Sequence, residues 1–264
     1  AMHVDGALRH VAVEIFNDAM AEMQAESGSR IFPMALLPWW DAKAAVAEAE
    51  RCAAMGLRGI NTNPDPHGQG LPDLGSEHWY PLWEVCTELN LPVNFHIGAS
   101  DESMSFLGKG HWPSWSKDER LAFGSSMLVL GNQRVLASIL ISRFLEKFPR
   151  LKLVSVESGI GWIPFLLESV GYQMREAGLR SELSPEEIFE RQIYACSWFE
   201  RRHFVADVRR VGVDNVLFET DYPHPTCLYP EPLRIMEDVI NQLTRTECEK
   251  IFSLNAEKVY GLPL

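Results

Sequence analysis

The chain lacks the features that mark several large classes of protein. No apolar run approaches the length of a membrane span, so the sequence predicts no membrane partner. Among the 264 residues, 24 Lys and Arg stand against 36 Asp and Glu, and the net charge of −12 argues against nucleic acid as a partner. The 5 cysteines include no C-x-x-C pair, which argues against a disulfide framework or a thiolate zinc site and predicts a cytoplasmic location.

Nucleotide-binding signatures are also missing. Neither G-x-G-x-x-G nor G-x-x-x-x-G-K-[ST] follows any apolar run, which removes the main signature of nucleotide-binding open sheets. The chain does contain short apolar runs that are continuous rather than alternating, as is typical of parallel strands covered on both faces. These runs predict strands at 31–37, 57–62, 91–97, 151–156, 192–197 and 215–219.

Longer amphipathic segments lie between these runs. Strand–helix alternation predicts a parallel sheet, and unusual polar residues after the strands favour a (β/α)8 TIM-like barrel. A closed barrel needs eight strands, so we predict one α/β barrel domain over residues 1–264 with only six βα units and an incomplete N-terminus. The predicted helices are 7–25, 42–55, 80–89, 128–148, 163–176, 199–211 and 232–242.

One long segment, residues 98–131, shows no clear periodicity. It follows His96 and contains Trp112 and Trp115. A structureless stretch of this length in a compact domain is usually a lid, a binding loop or a partner surface. We therefore expect Trp112 and Trp115 to cover a substrate pocket.

Three polar residues follow or end predicted strands, where α/β folds place their chemistry. His96 suits a metal ligand or general base, or is a core-edge histidine bonded to a backbone carbonyl. Asp221 suits a metal ligand, or caps the following turn. Glu157 suits a ligand, a general acid or base, or a partner of His96; the alternative is an ion pair with Arg143 or Arg202. Because strand ends converge on one barrel face, we predict that His96 and Asp221 bind a divalent metal.

Other residues on the same face are candidates for substrate contacts. His224, three residues beyond Asp221, bonds substrate, orients that carboxylate, or simply faces solvent. Asn61 offers an amide just after a strand, and Trp39 either forms the wall of an apolar pocket or packs a loop. We assign substrate binding to Trp39, Asn61, Trp112 and Trp115, and catalysis to Asp221, Glu157 and His224.

Several motifs occur in an order that is specific as a set. They are LLPWWD at 36–41, GLRGI at 56–60, PVNFHIG at 92–98, GIGWIP at 159–164, TDYPHP at 220–225 and NAEKVYGL at 255–262. On these motifs, nearly the whole chain resembles the amidohydrolase-related metal-dependent hydrolases. That family includes the branch around aminocarboxymuconate-semialdehyde decarboxylase.

The resemblance implies a (β/α)8 barrel that binds one divalent metal, commonly zinc and sometimes manganese. Family members use a His-x-His pair on the first strand, a His ending the fifth strand and an Asp ending the eighth. His96 then corresponds to the fifth-strand ligand and Asp221 to the eighth-strand ligand, so the six strands match the third to the eighth. Glu157 stands where many members keep a histidine. No His-x-His strand is present, so we expect metal binding to be weak or absent.

Together these features predict a metal-dependent hydrolase of the amidohydrolase superfamily, acting on a small carboxylic ester, amide or lactone. One alternative is a metal-dependent decarboxylase of an aromatic or conjugated acid. The others are a small-molecule binding protein without turnover, and a non-catalytic barrel remnant that dimerises through the edge left by missing strands. We expect a small-molecule substrate and a homodimer or larger homo-oligomer.

Overall fold

The computed structural model describes residues 6–105 and 112–263, and its centre is a parallel sheet of 6 strands. The strands are β1 (Ala35–Leu36), β2 (Ile60–Asn61), β3 (Val93–His96), β4 (Leu153–Val156), β5 (Ile193–Ser197) and β6 (Val216–Phe218). Each pairs in parallel with the next strand along the chain, so the sheet order is the chain order. This arrangement confirms the predicted α/β, TIM-barrel-like class, with each strand shorter than its apolar run.

Helices join and flank the strands. They are α1 (Gly6–Glu26), α2 (Ala42–Ala54), α3 (Tyr80–Glu88), α4 (Lys117–Met127), α5 (Val129–Ser142), α6 (Phe144–Lys147), α7 (Ile163–Glu176), α8 (Pro185–Gln192), α9 (Phe204–Val211), α10 (Pro232–Ile235), α11 (Glu237–Ile240), α12 (Arg245–Glu249) and α13 (Asn255–Tyr260). Shorter helical turns are Pro66–Gln69, Glu77–Trp79, Val213–Asn215 and the π turn Lys250–Leu254.

The structure corrects the predictions for the segments 128–148 and 98–131. The predicted helix 128–148 is divided at Arg143, whose left-handed backbone (φ 59°) ends α5 before α6 begins. The segment 98–131 is not structureless throughout, because α4 lies within it. The Ser116 hydroxyl accepts a hydrogen bond from the Glu119 N–H, and the Glu119 carboxylate accepts one from the Ser116 N–H. This reciprocal cap starts a helix locally, without the apolar periodicity on which the prediction relied.

The same kind of cap, between Ser184 and Glu187, starts α8, which the apolar pattern does not predict. The predicted helix 199–211 begins only at Phe204, and the predicted helix 232–242 is two short helices. Periodicity therefore located the longer helices and missed those that local capping specifies.

One helical stretch, Lys117–Ser142, is long and apolar enough to cross a membrane by length and composition. It has 26 residues, and an 18-residue window within it has a mean hydropathy of 1.2, with 39% of that window buried. This corrects the prediction that no run reaches such a length. A single stretch of this kind is weak evidence for a membrane span, because core helices pass the same test. The second half of the stretch supplies the core residues Val135, Leu136, Ile139 and Leu140.

The sheet has an apolar layer on each face, because successive side chains of a strand point to opposite faces. On one face, Leu153, Ile193 and Val216 join the main core with the surrounding helices. On the other face, a smaller cluster contains the C-terminal helix. Its members are Val154, Tyr194, Cys196, Leu217 and, from α13, Val259. This face is the packed interior in a closed barrel, so α13 occupies part of that space.

The edge of β1 that does not face β2 is covered by α1. The buried Asn17 accepts a hydrogen bond from the Leu36 N–H and donates one to the Leu36 carbonyl, each at 2.9 Å. One side-chain amide thus makes the two hydrogen bonds that a neighbouring strand would make. The backbone groups of Leu36 are already paired at this edge, and the expected homo-oligomer stays a prediction.

Candidate active site

Three strand ends meet at one edge of the sheet. β3 ends at His96, Glu157 follows β4 directly, and Asp221 lies three residues beyond β6. The parallel register sets His96 opposite Val156, the residue before Glu157. Since parallel strands end at a common edge, residues far apart in the chain are brought together there.

His96 and Glu157 are in contact and form an ion pair when the imidazole is protonated. The Nε2–H of His96 donates to Glu157 Oε2 at 2.8 Å, and its Nδ1–H donates to the Ile97 carbonyl at 2.6 Å. Burial disfavours a charge on this ring, but the two hydrogen bonds and the negative charge of Glu157 outweigh it and raise the pKa of His96. Glu157 therefore pairs with His96, whereas the alternative interpretation paired it with Arg143 or Arg202.

Asp221 lies in a tight loop with His224 and Thr226. Its Oδ2 is 3.2 Å from His224 Nδ1 and accepts a hydrogen bond from the Thr226 hydroxyl at 3.2 Å. The backbone N–H of His224 donates to the backbone carbonyl of Asp221 at 2.8 Å, and this hydrogen bond closes the turn. The Asp221 side chain is 9% exposed and that of His224 is 59% exposed, so the carboxylate is shielded while the imidazole faces solvent.

Glu157, Asp221 and His224 bring metal-donor atoms together. One donor atom from each residue lies within 4.8 Å of the other two. Two carboxylates and an imidazole are a donor set that manganese and zinc both accept, so these residues fit a divalent cation. His96 joins this metal-donor group through its hydrogen bond to Glu157. The predicted ligand pair, His96 and Asp221, is thus linked through Glu157, and its assignment stays a prediction.

The backbone is strained at two of these residues. Glu157 and Asp221 both have φ 58°, in the left-handed region that residues with a β-carbon rarely adopt. Such conformations persist where the surrounding structure imposes them, and they are frequent at functional sites. Here both occur just after a strand, and both carboxylates belong to the same metal-donor group.

Glu219 is a titratable residue that the sequence analysis does not assign to the site. It follows β6 directly, two residues before Asp221. Burial, reinforced by the charge of Glu157, raises the pKa of Glu219 to about 8, although Cys196 and His96 oppose the shift. Among the described residues its Oε1 has no hydrogen-bond partner. The sequence does carry a signal for Glu219, because it is an acidic residue at the end of the predicted strand that leads to Asp221.

A cavity of about 290 Å³ opens beside His96. Trp39 and Asn61, both predicted to bind substrate, line this His96 cavity together with Asn94. The structure therefore brings two predicted substrate-binding residues to the predicted metal ligand. The remaining lining residues are Leu36, Leu37, Thr62, Asn63 and Ala99.

Trp112 and Trp115 lie elsewhere in the described chain. Their rings stack with centroids 4.6 Å apart, and Trp112 also contacts Phe123 of α4 edge-on. Neither is among the described residues that line the His96 cavity. Residues 106–111 of the expected covering segment lie outside the described residues, so a substrate-binding role for these tryptophans stays a prediction.

A second cavity of about 200 Å³ adjoins the first and shares Trp39 with it. Asp65 in its wall is buried and accepts hydrogen bonds from Ser100 and, at 2.6 Å, from Arg134. The turn 63–66 is therefore fixed to the loop after β3 and to α5. This second cavity is acidic, since its lining includes Asp65, Asp101 and Glu102.

Similar proteins agree with this fold. In solved structures, the chain matches 5-carboxyvanillate decarboxylase from Novosphingobium aromaticivorans DSM 12444, complexed with manganese, with a TM-score of 0.79 and 20% identity over 98% of this chain and 72% of that one. It matches a dihydroxybenzoic acid decarboxylase from Polaromonas sp. JS666, with bound manganese, with a TM-score of 0.73 and 20% identity over 99% and 78% of the two chains. At this level of identity the likeness concerns the fold.

Sequence comparison gives a shorter match and a longer one. The chain is 39% identical over 66 residues to 2-keto-4-carboxy-3-hexenedioate hydratase from Sphingobium sp. (strain NBRC 103272 / SYK-6). That match covers 24% of this chain and only 19% of the relative. The amidohydrolase family model, in contrast, matches residues 3–262. A match over nearly the whole chain shows that the protein belongs to the amidohydrolase family.

Proposed function

We propose that this protein is a metal-dependent decarboxylase of an aromatic or conjugated carboxylic acid. The observation that carries the proposal is the metal-donor group and its connection, through His96, to the His96 cavity. No acidic side chain is among the described residues that line this cavity. An acid can enter such a cavity without meeting like charge. Because both fold relatives described above are decarboxylases by name, this alternative is better supported than the predicted ester, amide or lactone hydrolase.

The metal is assigned to Asp221 and His96, as the resemblance implies, with Glu157 and His224 near enough to contribute. A divalent metal bound by these residues supplies positive charge that polarises the oxygens of the acid. We favour manganese over zinc, because donor sets rich in carboxylates suit manganese. The two fold relatives also hold manganese.

We assign the role of proton donor to Glu157. Glu157 Oε2 lies 2.8 Å from His96 Nε2, and the Glu157 carboxyl group takes up one proton from solvent in each turnover. Glu157 then transfers this proton to the ring carbon that carries the carboxylate. As the new C–H bond forms, the C–C bond to the carboxylate breaks, its electron pair returns to the ring, and CO2 leaves.

The test is turnover of aromatic acids by the manganese-loaded protein. We expect CO2 release from 2,6-dihydroxybenzoate or 5-carboxyvanillate that stops on chelation and returns with manganese. Glu157→Gln should abolish release, whereas Glu168→Gln, at an exposed position of α7, should keep it. Hydrolysis of phenyl esters or lactones, with no CO2 released from any acid, would contradict the proposal.

A hydratase is the second candidate, because the relative with 39% identity over 66 residues is a hydratase. In that reaction the proton held by Glu157 would pass to one carbon of a conjugated keto acid while water adds to the next. The two candidates differ in their products. Loss of the ultraviolet absorbance of 2-keto-4-carboxy-3-hexenedioate without CO2 release would select the hydratase.

A further inference from the structure

A chain of hydrogen bonds runs from the C-terminal helix to the wall of the His96 cavity. The Tyr260 hydroxyl, on α13, is 2.9 Å from Asn94 Oδ1, and Asn94 Nδ2 is 3.1 Å from Asn61 Oδ1. Tyr260 and Asn94 are 166 residues apart in sequence, and Asn94 is only 3% exposed. Asn61 is the end of this hydrogen-bond chain, and it lines the cavity.

The direction of these bonds sets the orientation of the Asn61 amide. Burial, together with the charges of Cys196 and Glu219, raises the pKa of Tyr260 well above its usual range, so the phenol keeps its proton. A buried phenol needs an acceptor, and Asn94 Oδ1 provides it. Asn94 must then turn its NH2 group towards Asn61, and this NH2 group donates a hydrogen bond to Asn61 Oδ1. The NH2 group is then the end of the Asn61 amide that Asn94 does not engage, and Asn61 lines the cavity.

The charge around Asn61 suits an anion. The chain has 36 acidic residues, yet none is among the described residues that line the His96 cavity. The adjoining cavity, which shares Trp39, is lined by Asp65, Asp101 and Glu102 and would repel an anion. A carboxylate would therefore settle on the Asn61 side of Trp39.

We propose that Asn61 donates a hydrogen bond from Nδ2 to a carboxylate oxygen of the bound acid, and that Asn94 and Tyr260 are the positioning residues that aim it. This inference rests on the proposed function, because it takes an aromatic or conjugated acid as the ligand. It adds the recognition of the carboxylate and gives the last helix of the chain a role in specificity.

The experiment compares two ligands of the manganese-loaded protein by calorimetry, with every variant made in a Glu157→Gln background so that the acid is bound but not decarboxylated during the titration. They are 2,6-dihydroxybenzoate and resorcinol, which is the same ring without the carboxylate. We expect Asn61→Asp and Asn61→Ala to weaken binding of the acid about tenfold or more, because a hydrogen bond to a charged group is lost. Resorcinol binding should change less than about threefold. Tyr260→Phe should weaken binding of the acid about threefold to tenfold and leave resorcinol binding unchanged.

The matched control is Tyr194→Phe, which removes the phenol hydroxyl of another residue in the same apolar cluster. It should leave both affinities as in the unmodified protein. Equal losses for both ligands would indicate a purely structural role and would overturn the inference. Unchanged binding of the acid by all variants would also overturn it while leaving the decarboxylase standing. An unmodified protein that neither binds nor decarboxylates any acid would overturn both.

Discussion

At the scale of single residues, the site pairs two carboxylates with two imidazoles. Glu157 faces His96 at 2.8 Å, and Asp221 faces His224 at 3.2 Å. Glu219 has no such partner for its Oε1 among the described residues, and burial raises its pKa to about 8. Three carboxyl groups so close together favour a bound cation, because a positive charge relieves their mutual repulsion.

We predict that Asp221→Asn and His96→Gln each lower the affinity for manganese about a hundredfold or more, because each removes a donor to the metal. Calorimetric titration of the chelated protein measures the change. His203→Gln, at an exposed histidine that precedes α9, is the matched control and should bind as the unmodified protein does.

Two results of that titration would change the assignment. If His224→Gln abolished binding while His96→Gln kept it, the metal would belong to Glu157, Asp221 and His224 alone. If the unmodified protein bound no metal, the expectation drawn from the missing His-x-His strand would hold instead.

At the scale of elements, α1, β1 and α2 are joined by one buried polar cluster. Asn17 on α1 bonds both backbone groups of Leu36 on β1, and its Nδ2 also donates to Glu48 Oε1 on α2 at 2.6 Å. Arg51 completes the cluster through two hydrogen bonds to Glu48, at 2.7 and 2.8 Å. The cluster fixes the helix that covers the sheet edge.

We predict that Asn17→Ala lowers the free energy of unfolding by about 2 kcal/mol, because the partly buried N–H and carbonyl of Leu36 lose their partner. Urea unfolding measures the loss. Glu22→Ala, at an exposed position of the same helix, should cost less than about 0.5 kcal/mol. Similar costs for both variants would mean that α1 is not anchored through Asn17.

The same cluster predicts how stability depends on pH. Burial opposes the charge of Glu48, but hydrogen bonds from Arg51 and Asn17 outweigh burial and hold the pKa of Glu48 below its ordinary value of 4.5. A carboxyl with a lowered pKa in the folded state stabilises the fold above its ordinary pKa, and this contribution is lost as the pH falls through the lowered value. We therefore expect the melting temperature to decrease as the pH is lowered below about 4.5.

Glu48→Gln tests this directly, since it removes the titrating group. Below about pH 4.5, its melting temperature should decrease less steeply with falling pH than that of the unmodified protein. Glu50→Gln, at an exposed position of the same helix, should leave the slope unchanged. Identical slopes for all three proteins would assign the acid sensitivity to other carboxylates.

At the scale of the whole molecule, the C-terminal helix ties the two halves of the sheet together. Val259 packs with Val154, Cys196 and Leu217 on β4, β5 and β6. Tyr260, one residue later, reaches Asn94 on β3. The end of the chain thus belongs to the core of the sheet, and we expect it to unfold together with the strands.

We predict that Asn255→Ala lowers the free energy of unfolding by about 2 kcal/mol. Asn255 is 2% exposed, and its Nδ2 donates to the carbonyls of Val213 and Val216 at 2.7 and 2.8 Å, so the variant leaves both without a partner. Urea unfolding should remain a single transition with an unchanged m-value. Asn241→Ala, at an exposed position, is the control. A separate early transition would show that α13 unfolds on its own.

Much of the fold could be predicted because buried parallel strands leave a local signal. The run at 151–156 contains β4 and the run at 91–97 contains β3, since strands covered on both faces are mostly apolar along their length. Polar residues at or just beyond the ends of such strands, such as His96 and Asp221, stand out for the same reason. α8 also left a local signal, its Ser184–Glu187 cap, but a search for apolar periodicity does not detect caps.

The sequence by itself determined where the strands lie, which polar residues end the strands, and the family to which the protein belongs. Only the tertiary structure decided that Glu157 pairs with His96, that Asn17 takes the place of a strand beside Leu36, and that Tyr260 orients Asn61 through Asn94. The physical reason is the range of the interactions. Strand hydrophobicity acts on neighbouring residues, whereas these hydrogen bonds join groups that become neighbours only when the helices pack on the sheet.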